Sequence, residues 1–352
     1  MRAAVWHGYK DIRIEEAAMP TPGPGQVVVE VAWAGICGTD RHEYVGPNFI
    51  PTSKPHRLTG RTAPLTLGHE FSGVVSAVGE GVTNWKPGDR VSANGTLCCN
   101  TCEMCKTGKY NICEKLGFLG VSTDGAFADY VAVDAARLFK VPDNVSLRHA
   151  ILAEPLACGI HATNILGDMT GKNVVVIGPG IIGIGCFLAV KLAGAGKVLV
   201  TGHGDARRAL IEENGGIYID TAASPDLNAA LLAHFGGLAD VSYECVGIQG
   251  TLDASIGALK PGGKLMVMGV FEEKPVFPMN DFQEGERQLF TSQAHLTEIG
   301  VALTYMSQGK IDAEPLTTRE VTLDTLVTDG FEELIQNGPA HIKVALQIGN
   351  LS

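Results

Sequence analysis

The sequence lacks any apolar run long enough to cross a membrane. A membrane-spanning helix needs ~18 or more consecutive apolar residues, whereas the longest apolar region here, residues 174–200, is interrupted by glycines, Pro179 and Lys191. The opening residues MRAAVWHGYKDIRIEE also lack an apolar segment of signal-peptide length. We therefore expect a cytoplasmic protein with no membrane partner.

Positive charge is scarce relative to negative charge. The chain has 27 Lys and Arg against 38 Asp and Glu, which gives a net charge of -11. A surface that binds nucleic acid needs clustered cations, so this balance disfavours a nucleic-acid partner and leaves room only for a small anion at a local site. With 352 residues, 45% of them hydrophobic, the chain is long enough for two globular domains of ~150 residues each.

Cysteines are few, but they cluster. Five of the nine lie within CCNTCEMCKTGKYNIC, residues 98–113. Without an export signal, clustered thiols favour metal binding over disulfides. Four of them have the spacing C-x2-C-x2-C-x7-C and can close a tetrahedral shell around zinc, which leaves no position for a substrate and is typical of a structural site; they are Cys99, Cys102, Cys105 and Cys113. A redox C-x-x-C pair is the competing interpretation, and we expect Cys98 to stay outside the shell.

A second set of metal-ligand types is dispersed along the chain. Cys37 follows a strand-like segment, His69 and Glu70 stand in the motif Gly-His-Glu, and Glu154 opens the second half. One thiolate, one imidazole and one carboxylate form a mixed shell with room for water or substrate, which is typical of catalytic zinc. Taken singly, these residues could equally be a core thiol, a histidine paired in the core and surface acids.

The pattern of secondary structure changes near residue 145. The N-terminal part is rich in β-branched alternation and turns, whereas strand-like and helix-like segments alternate from residue 172 onwards. This alternation predicts a parallel, doubly wound sheet. The sequence GPGIIG follows the first strand and opens a helix, which is the context of a dinucleotide-binding turn; its residues are Gly178, Gly180, Ile181, Ile182 and Gly183.

The position that selects the adenosine ribose departs from the simplest pattern. An Asp or Glu is expected ~20 residues after the glycine motif, where it accepts from the ribose 2′-OH of NAD. That position falls near Gly202, and His203, Arg207 and Arg208 follow. Loss of the acid and gain of arginine favour NADP. The alternative is that Arg207 stacks on adenine and Asp205 serves NAD.

The motifs occur in an order that resembles a known family. The order is GICGTDRH, PLTLGHEFSGVV, KPGDRV, the four-cysteine lobe, AEPLA and VIGPGIIG, and the resemblance extends through the closing HIKVALQIG. This order is similar to that of the zinc-containing medium-chain dehydrogenases/reductases, within the branch of the 2,3-butanediol, sorbitol and threonine dehydrogenases.

The resemblance implies an α/β fold with two domains. A GroES-like β domain with a catalytic and a structural zinc would occupy residues 1–148 and 280–352, split around a Rossmann domain at residues 149–279. Cys37, His69 and Glu70 would bind the catalytic zinc, with Glu154 as a further, exchangeable ligand. Thr39 and His42 would form a proton relay. Cys245, Val246 and Gly247 would lie beside the nicotinamide.

The implied activity is hydride transfer between a secondary alcohol and NAD or NADP, in a homodimer or homotetramer. The alcohol would be a vicinal diol or polyol, such as 2,3-butanediol or sorbitol. The segment 46–64 contains Pro47, Pro51 and Pro55, which would stiffen a loop over the substrate, although a surface excursion is the alternative. A threonine-dehydrogenase-like activity on a 3-hydroxy amino acid and a non-enzymatic zinc-lobe protein remain open at this point.

Overall fold

The computed structural model describes residues 1–46, 49–223 and 226–351, so Pro47 of the proline-rich segment lies outside the described residues. The chain divides into two compact units. The first comprises Met1–Glu154 and Ile299–Ser352, and the second comprises Pro155–Glu298. The sequence-based divisions, at 148/149 and 279/280, fall earlier in the chain.

The strands, numbered along the chain, are β1 (Arg2–Gly8), β2 (Asp11–Glu16), β3 (Gln26–Gly35), β4 (Leu65–Thr66), β5 (Glu70–Val78), β6 (Arg90–Ala93), β7 (Thr96–Leu97), β8 (Gly117–Phe118), β9 (Tyr130–Asp134), β10 (Leu138–Lys140), β11 (Val174–Ile177), β12 (Val198–Gly202), β13 (Ile217–Asp220), β14 (Ala239–Glu244), β15 (Leu259–Val267), β16 (Gln288–Thr291), β17 (Thr317–Thr322) and β18 (Lys343–Gln347).

The α-helices are α1 (Gly38–Val45), α2 (Glu103–Lys106), α3 (Leu147–Ala150), α4 (Ala153–Leu166), α5 (Ile181–Leu192), α6 (Asp205–Glu213), α7 (Leu227–Phe235), α8 (Gln249–Gly257), α9 (Met279–Glu284), α10 (Glu298–Ser307) and α11 (Glu333–Asn337). Short 3₁₀ turns lie at Tyr110–Ile112, Ala135–Arg137, Glu314–Leu316, Leu323–Thr325 and Gly338–Ala340, and a π-helical segment lies at Leu326–Glu332. None of the helices in the described part of the chain combines the length and the apolarity that a bilayer crossing demands.

The first unit is built around a seven-stranded sheet of order β10-β6-β5-β3-β18-β17, with β9 also paired to β3. Strand β3, QVVVEVAWAG, is buried along most of its length because β5, β9 and β18 all pair with it. The C-terminal β18 runs antiparallel to β3, with Ala345 opposite Gly35. The C-terminal segment therefore rejoins the N-terminal unit, as the resemblance implied.

The second unit is built around a six-stranded sheet of order β13-β12-β11-β14-β15-β16, in which every pairing is parallel. The central strand β11 is the fully buried run VVVI, as parallel strands covered on both faces require. The strand order of the sheet is that of a dinucleotide-binding sheet, in which the ligand lies beyond the carboxyl ends of the strands. The predicted parallel sheet is confirmed.

The edge strand β16 pairs with β15 in the second unit, although the resemblance implied that residues 280–352 belong to the GroES-like domain. It has only four residues, QLFT, and three of them are exposed. An exposed strand of this length shows neither the alternation nor the apolar run from which strands are predicted.

Candidate active site

The three predicted ligands of the catalytic zinc lie at the ends of elements in the first unit. Cys37 precedes α1, and His69 and Glu70 stand at the start of β5. Gly68 holds the chain at φ 98°, and a Cβ atom there would lie 2.3 Å from Phe127 Cδ1. Only glycine fits this turn, which explains the residue before the histidine.

The donor atoms of these three residues converge. The Cys37 Sγ atom, a ring nitrogen of His69 and a carboxylate oxygen of Glu70 all lie within 4.8 Å of one another. His69 is buried. One thiolate, one imidazole and one carboxylate at these separations form a donor set that suits a divalent cation. The residues present therefore fit a mixed-ligand zinc ion.

Asp40 is a site residue that the sequence analysis did not identify. It is fully buried, its Oδ2 accepts a hydrogen bond from the Cys37 backbone N–H at 2.9 Å, and its Oδ1 lies 3.6 Å from His69 Nδ1. Burial opposes the protonated form of His69, but the charges of Asp40 and Cys37 outweigh it and raise the pKa of the imidazole. A carboxylate behind a ligating histidine orients the ring and increases its basicity.

Lys343 is the second residue that was missed. Its buried Nζ donates to Glu70 Oε1 at 2.8 Å, to Glu70 Oε2 at 2.6 Å and to the Ile36 carbonyl oxygen at 3.0 Å. Burial opposes the charge of Lys343, yet Glu70 raises its pKa. Burial also raises the pKa of Glu70, but the two short contacts identify a charged pair. A Cβ at Gly35 would lie 2.2 Å from Glu70 Oε2, so glycine leaves room for this carboxylate.

The other predicted catalytic residues lie on two helices. Glu154 is in the first turn of α4. Its negative charge contributes to the raised pKa values of His69 and Glu70, so Glu154 interacts electrostatically with the cluster. Thr39 and His42 lie one turn apart on α1 and are both partly exposed. Residues at this spacing share a helix face, but the predicted relay between them stays a prediction.

The four-cysteine lobe forms a separate cluster. The Sγ atoms of Cys102 and Cys105 are 3.5 Å apart, those of Cys102 and Cys113 are 3.9 Å apart, and those of Cys99 and Cys105 are 4.0 Å apart. A zinc–sulfur bond of ~2.3 Å places tetrahedral sulfur ligands about 3.8 Å from one another, whereas a disulfide bond is ~2.05 Å long. These separations fit four thiolates around one zinc ion.

Backbone donors contact two of these thiols, whereas burial raises the pKa values of Cys105 and Cys113. The N–H groups of Cys102 and Lys115 donate to the Sγ atoms of Cys99 and Cys113, respectively, both at 3.3 Å. Hydrogen bonds from Thr101, and then from Cys102, lower the pKa of Cys99 to about 5. Such donors stabilise a thiolate, which is the form that binds metal.

Cys98 stands apart from the four-sulfur cluster, as expected. Its Sγ receives a hydrogen bond from Nη2 of Arg137 at 2.9 Å and contacts Asn100 Oδ1 at 3.0 Å. The Arg137 guanidinium also lies 3.6 Å above the ring of Tyr110. Arg137 thus holds Cys98 away from the position of a fifth ligand.

The glycine motif forms a tight turn between β11 and α5 in the second unit. Gly178 has φ 98°, and a Cβ at Gly183 would lie 1.9 Å from the Gly178 carbonyl oxygen. By contrast, a Cβ at Gly180, the N-cap of α5, would meet no described atom within 4 Å. The turn therefore leaves space at the helix N-terminus, where free N–H groups bind phosphate. Ile181 and Ile182 form the first turn of α5.

The predicted nicotinamide segment lies against this turn. The Cys245 N–H donates to the Ile177 carbonyl oxygen at 2.9 Å, and a Cβ at Gly178 would lie 2.4 Å from Val246 Cγ2. Glu244, which the sequence analysis missed, accepts from the N–H groups of Val246 and Gly247 at 2.9 and 2.8 Å. Its carboxylate therefore sets the shape of the loop. A hydrogen bond with the Cys186 thiol raises the pKa of Cys245, so the Cys245 thiol is neutral.

The ribose-selecting residues follow β12. Gly202 ends the strand, His203 is exposed, and Arg207 and Arg208 lie on α6. Burial lowers the pKa of Arg207. No carboxylate occupies the expected position at the strand end, in agreement with the sequence.

The described part of the 46–64 segment is fixed by polar contacts. The buried Glu43 carboxylate accepts from the N–H groups of Phe49 and Ile50 at 2.8 and 3.0 Å. Further along, the Thr59 hydroxyl donates to the Ser122 carbonyl oxygen at 2.5 Å. Contact of this loop with a substrate stays a prediction.

Comparisons with known proteins agree with this geometry. Residues 23–143 match the family model described as "Alcohol dehydrogenase GroES-like domain", and residues 182–322 match "Zinc-binding dehydrogenase". The chain is 38% identical to (R,R)-butanediol dehydrogenase of Bacillus subtilis strain 168 over 96% of each chain. It is 32% identical to sorbitol dehydrogenase of Gallus gallus, covering 94% of this chain and 92% of that one. The crystal structure of 2R,3R-butanediol dehydrogenase from Bacillus subtilis has a TM-score of 0.90 and 36% identity, covering 98% of this chain and 99% of the other.

Proposed function

Because the chain belongs to the family of zinc-binding alcohol dehydrogenases with a GroES-like domain, we propose that it transfers a hydride between a vicinal diol or polyol and a nicotinamide cofactor. It is an oxidoreductase that uses zinc and NAD(P) and acts on a small alcohol. The observation that carries the proposal is the presence of two different ligand sets in one unit. Four thiolates suit a closed structural shell, whereas the mixed set leaves a position for the alcohol.

Cys37, His69 and Glu70 would hold the catalytic zinc. Glu154, whose charge acts on His69 and Glu70, would be an exchangeable ligand. A zinc ion there supplies a Lewis acid that lowers the pKa of an alcohol hydroxyl, and the nicotinamide supplies the hydride acceptor. Asp40 keeps the imidazole of His69 in place, because its carboxylate is fixed by the Cys37 backbone N–H.

The proton of the alcohol would leave along α1. A threonine hydroxyl can accept a proton while it donates its own, and an imidazole can take up and release a proton near neutral pH. Thr39 and His42 supply these two groups on one helix face. We assign them the proton relay on this ground.

The choice of a diol or polyol rests on the relatives. The proteins of Bacillus subtilis and Gallus gallus are named for butanediol and for sorbitol, and this chain aligns with each over at least 92% of their lengths. The anchored loop from Phe49 onwards is our candidate for the segment that shapes the alcohol pocket.

A substrate panel tests the proposal. Turnover of 2,3-butanediol isomers, sorbitol, ethanol and threonine would be followed with NAD and with NADP at the absorbance of the reduced nicotinamide. We expect the diols or the polyol to be oxidised with the highest kcat/KM. Preferential oxidation of threonine would replace the diol proposal by a 3-hydroxy amino acid dehydrogenase, and no turnover of any alcohol would contradict it.

A metal count tests the ligand assignment. We expect two zinc ions per chain, with Cys37→Ala binding one and losing turnover while it remains folded. Cys98→Ser is the matched control, because Cys98 lies outside both ligand sets, and it should keep both ions and full activity. Wild-type activity in Cys37→Ala would refute the assignment.

We also infer a homo-oligomer, assembled through β16. This strand pairs with β15 on one side only among the described strands, and Leu289 on it is 47% exposed. An open edge strand with an exposed apolar side chain is a template for pairing with a second copy of the chain. Two-fold dimers are the commonest such assemblies.

A cytoplasmic location is proposed from the thiol chemistry. All nine cysteines are free thiols in the structure, and four of them form the lobe described above. Unpaired cysteines and thiolate zinc sites suit a reducing compartment.

A further inference from the structure

The phosphate-binding turn and the end of β12 are in steric contact. A Cβ atom at Gly202 would lie 2.1 Å from Pro179 Cδ and 2.3 Å from Pro179 Cγ. Both distances are far below van der Waals contact, and the proline ring cannot rotate away because it is closed on its own backbone. The proline in the turn therefore excludes any side chain at position 202.

This exclusion removes the residue that selects NAD. In dinucleotide-binding sheets an Asp or Glu at the end of the second strand accepts from the ribose 2′-OH and repels a 2′-phosphate. Position 202 ends the second strand of this sheet, β12, which lies directly beside β11. With Pro179 in place, that carboxylate cannot be accommodated.

Cationic and polar groups lie where the carboxylate is missing. His203 follows Gly202, its side chain is 58% exposed, and its ring nitrogens contact the Thr221 hydroxyl at 3.2 and 3.4 Å. Arg208 projects from α6, with its guanidinium 5.0 Å above the ring of Tyr218. These side chains offer a fork of N–H donors and a ring N–H, which are the groups that bind phosphate.

Two acids lie near these cationic groups: Glu212, whose Oε1 is 3.9 Å from Arg208 Nη1, and Asp220. Asp220, which pairs with Gly202 in the β12–β13 register, is 3.6 Å from His203 Nδ1 and 3.5 Å from Arg208 Nη2. Its Oδ1 accepts from the Ala222 backbone N–H at 2.9 Å. Asp220 is thus held by its own turn, and its contacts with the two cationic side chains are long enough to admit a second anion.

We propose that the chain binds NADP in preference to NAD, with the 2′-phosphate received by His203 and Arg208, because Pro179 excludes the NAD-selecting acid from position 202. The inference rests on the proposed function only in taking a nicotinamide dinucleotide as the cofactor. It therefore concerns the adenosine end of the site and is independent of which alcohol is oxidised.

Binding measured without an alcohol tests the inference. Titration calorimetry on the full chain would compare 2′-phospho-ADP-ribose with ADP-ribose. We expect the phosphorylated ligand to bind about tenfold or more tightly, as charge-assisted hydrogen bonds provide. Arg208→Gln should weaken its binding about tenfold and leave ADP-ribose unchanged.

Three further variants examine the cause. Pro179→Gly with Gly202→Asp makes room for the acid and should reverse the preference towards ADP-ribose, whereas Pro179→Gly alone should keep it. Asp220→Asn should leave ADP-ribose binding unchanged and should not weaken the phosphorylated ligand.

Tighter binding of ADP-ribose by the wild type, with a loss of that binding in Asp220→Asn, would overturn the inference and make Asp220 the ribose acceptor. That result would leave the proposed dehydrogenase function intact. Failure to bind either ligand would contradict both proposals together.

Discussion

Lys343 carries the only positive charge that directly contacts the Glu70 carboxylate among the described residues, and both side chains are buried. Removing one partner of a buried ion pair leaves an uncompensated charge, which costs about 3–5 kcal/mol. We expect Lys343→Met to lower the free energy of unfolding by about this amount in urea titrations, and to weaken zinc binding because Glu70 loses its fixed position.

The double variant Glu70→Gln with Lys343→Met is the control for this charge effect. It replaces the pair by a neutral amide and an apolar chain of similar length, so most of the stability should return. Equal destabilisation in the single and double variants would mean that Lys343 acts through packing alone.

At the scale of single residues, the sequence was sufficient to identify the metal-ligand residues but not the buried charged residues that contact them. Cys37, His69 and Glu70 stand in recognisable motifs, and the structure brings their donor atoms together. Lys343 could not be identified, because 273 residues separate it from Glu70 and only the pairing of β18 with β3 joins them. Asp40 was within a quoted motif, but its role depends on the position of His69.

At the scale of elements, the cysteine lobe is separable from the catalytic cluster. Cys105→Ser should reduce the zinc content from two ions to one and lower the thermal unfolding midpoint by about 5 °C or more, because a structural zinc contributes folding free energy directly. Differential scanning fluorimetry with a metal count would measure both effects. Cys98→Ser should change neither, since Cys98 is held by Arg137 outside the shell.

The buried pair of His161 and Glu298 in the second unit makes stability depend on pH. Burial opposes the charge of Glu298, but hydrogen bonds from His161 and the Leu296 N–H outweigh it and lower its pKa to about 2. A depressed pKa stabilises the fold above the ordinary value of ~4.5, and this contribution is lost as pH falls from there towards about 2.

Glu298→Gln should therefore be less stable than the wild type by about 2 kcal/mol at pH 7. The difference should narrow as the pH falls below ~4.5. Chemical unfolding of the two proteins at several pH values would measure it. A constant difference across this range would show that the carboxylate charge is not responsible.

Elements were predicted best where burial imposes a simple pattern. The run VVVI of β11 and the turn GPGIIG are recognisable because a parallel central strand is apolar on both faces. The contact of Pro179 with Gly202 was not predictable, since it joins two turns that the sheet places side by side.

At the scale of the whole molecule, the order of motifs was sufficient for the fold class and the family. The family models and the relatives that span nearly the whole chain confirm both, together with a zinc-dependent dehydrogenase activity. The division into two units was expected, but its boundaries depend on packing. Strand β16 belongs to the second unit because it pairs with β15, which its own four residues do not indicate.

At the scale of the whole molecule, the open edge strand β16 of the parallel sheet predicts that two copies of the chain associate. If two copies pair through β16, Leu289 becomes buried between them, and Leu289→Lys places a charge at that junction. Charged edge residues are a natural means of preventing strand pairing, so we expect the variant to run as a monomer in light scattering while the wild type forms a dimer or tetramer. Leu232→Lys, at a 65% exposed position on α7, should leave the assembly unchanged. An oligomer that survives Leu289→Lys would place the interface elsewhere, because burying an unpaired ammonium group at the strand edge is costly. A monomeric wild type would contradict the proposed assembly.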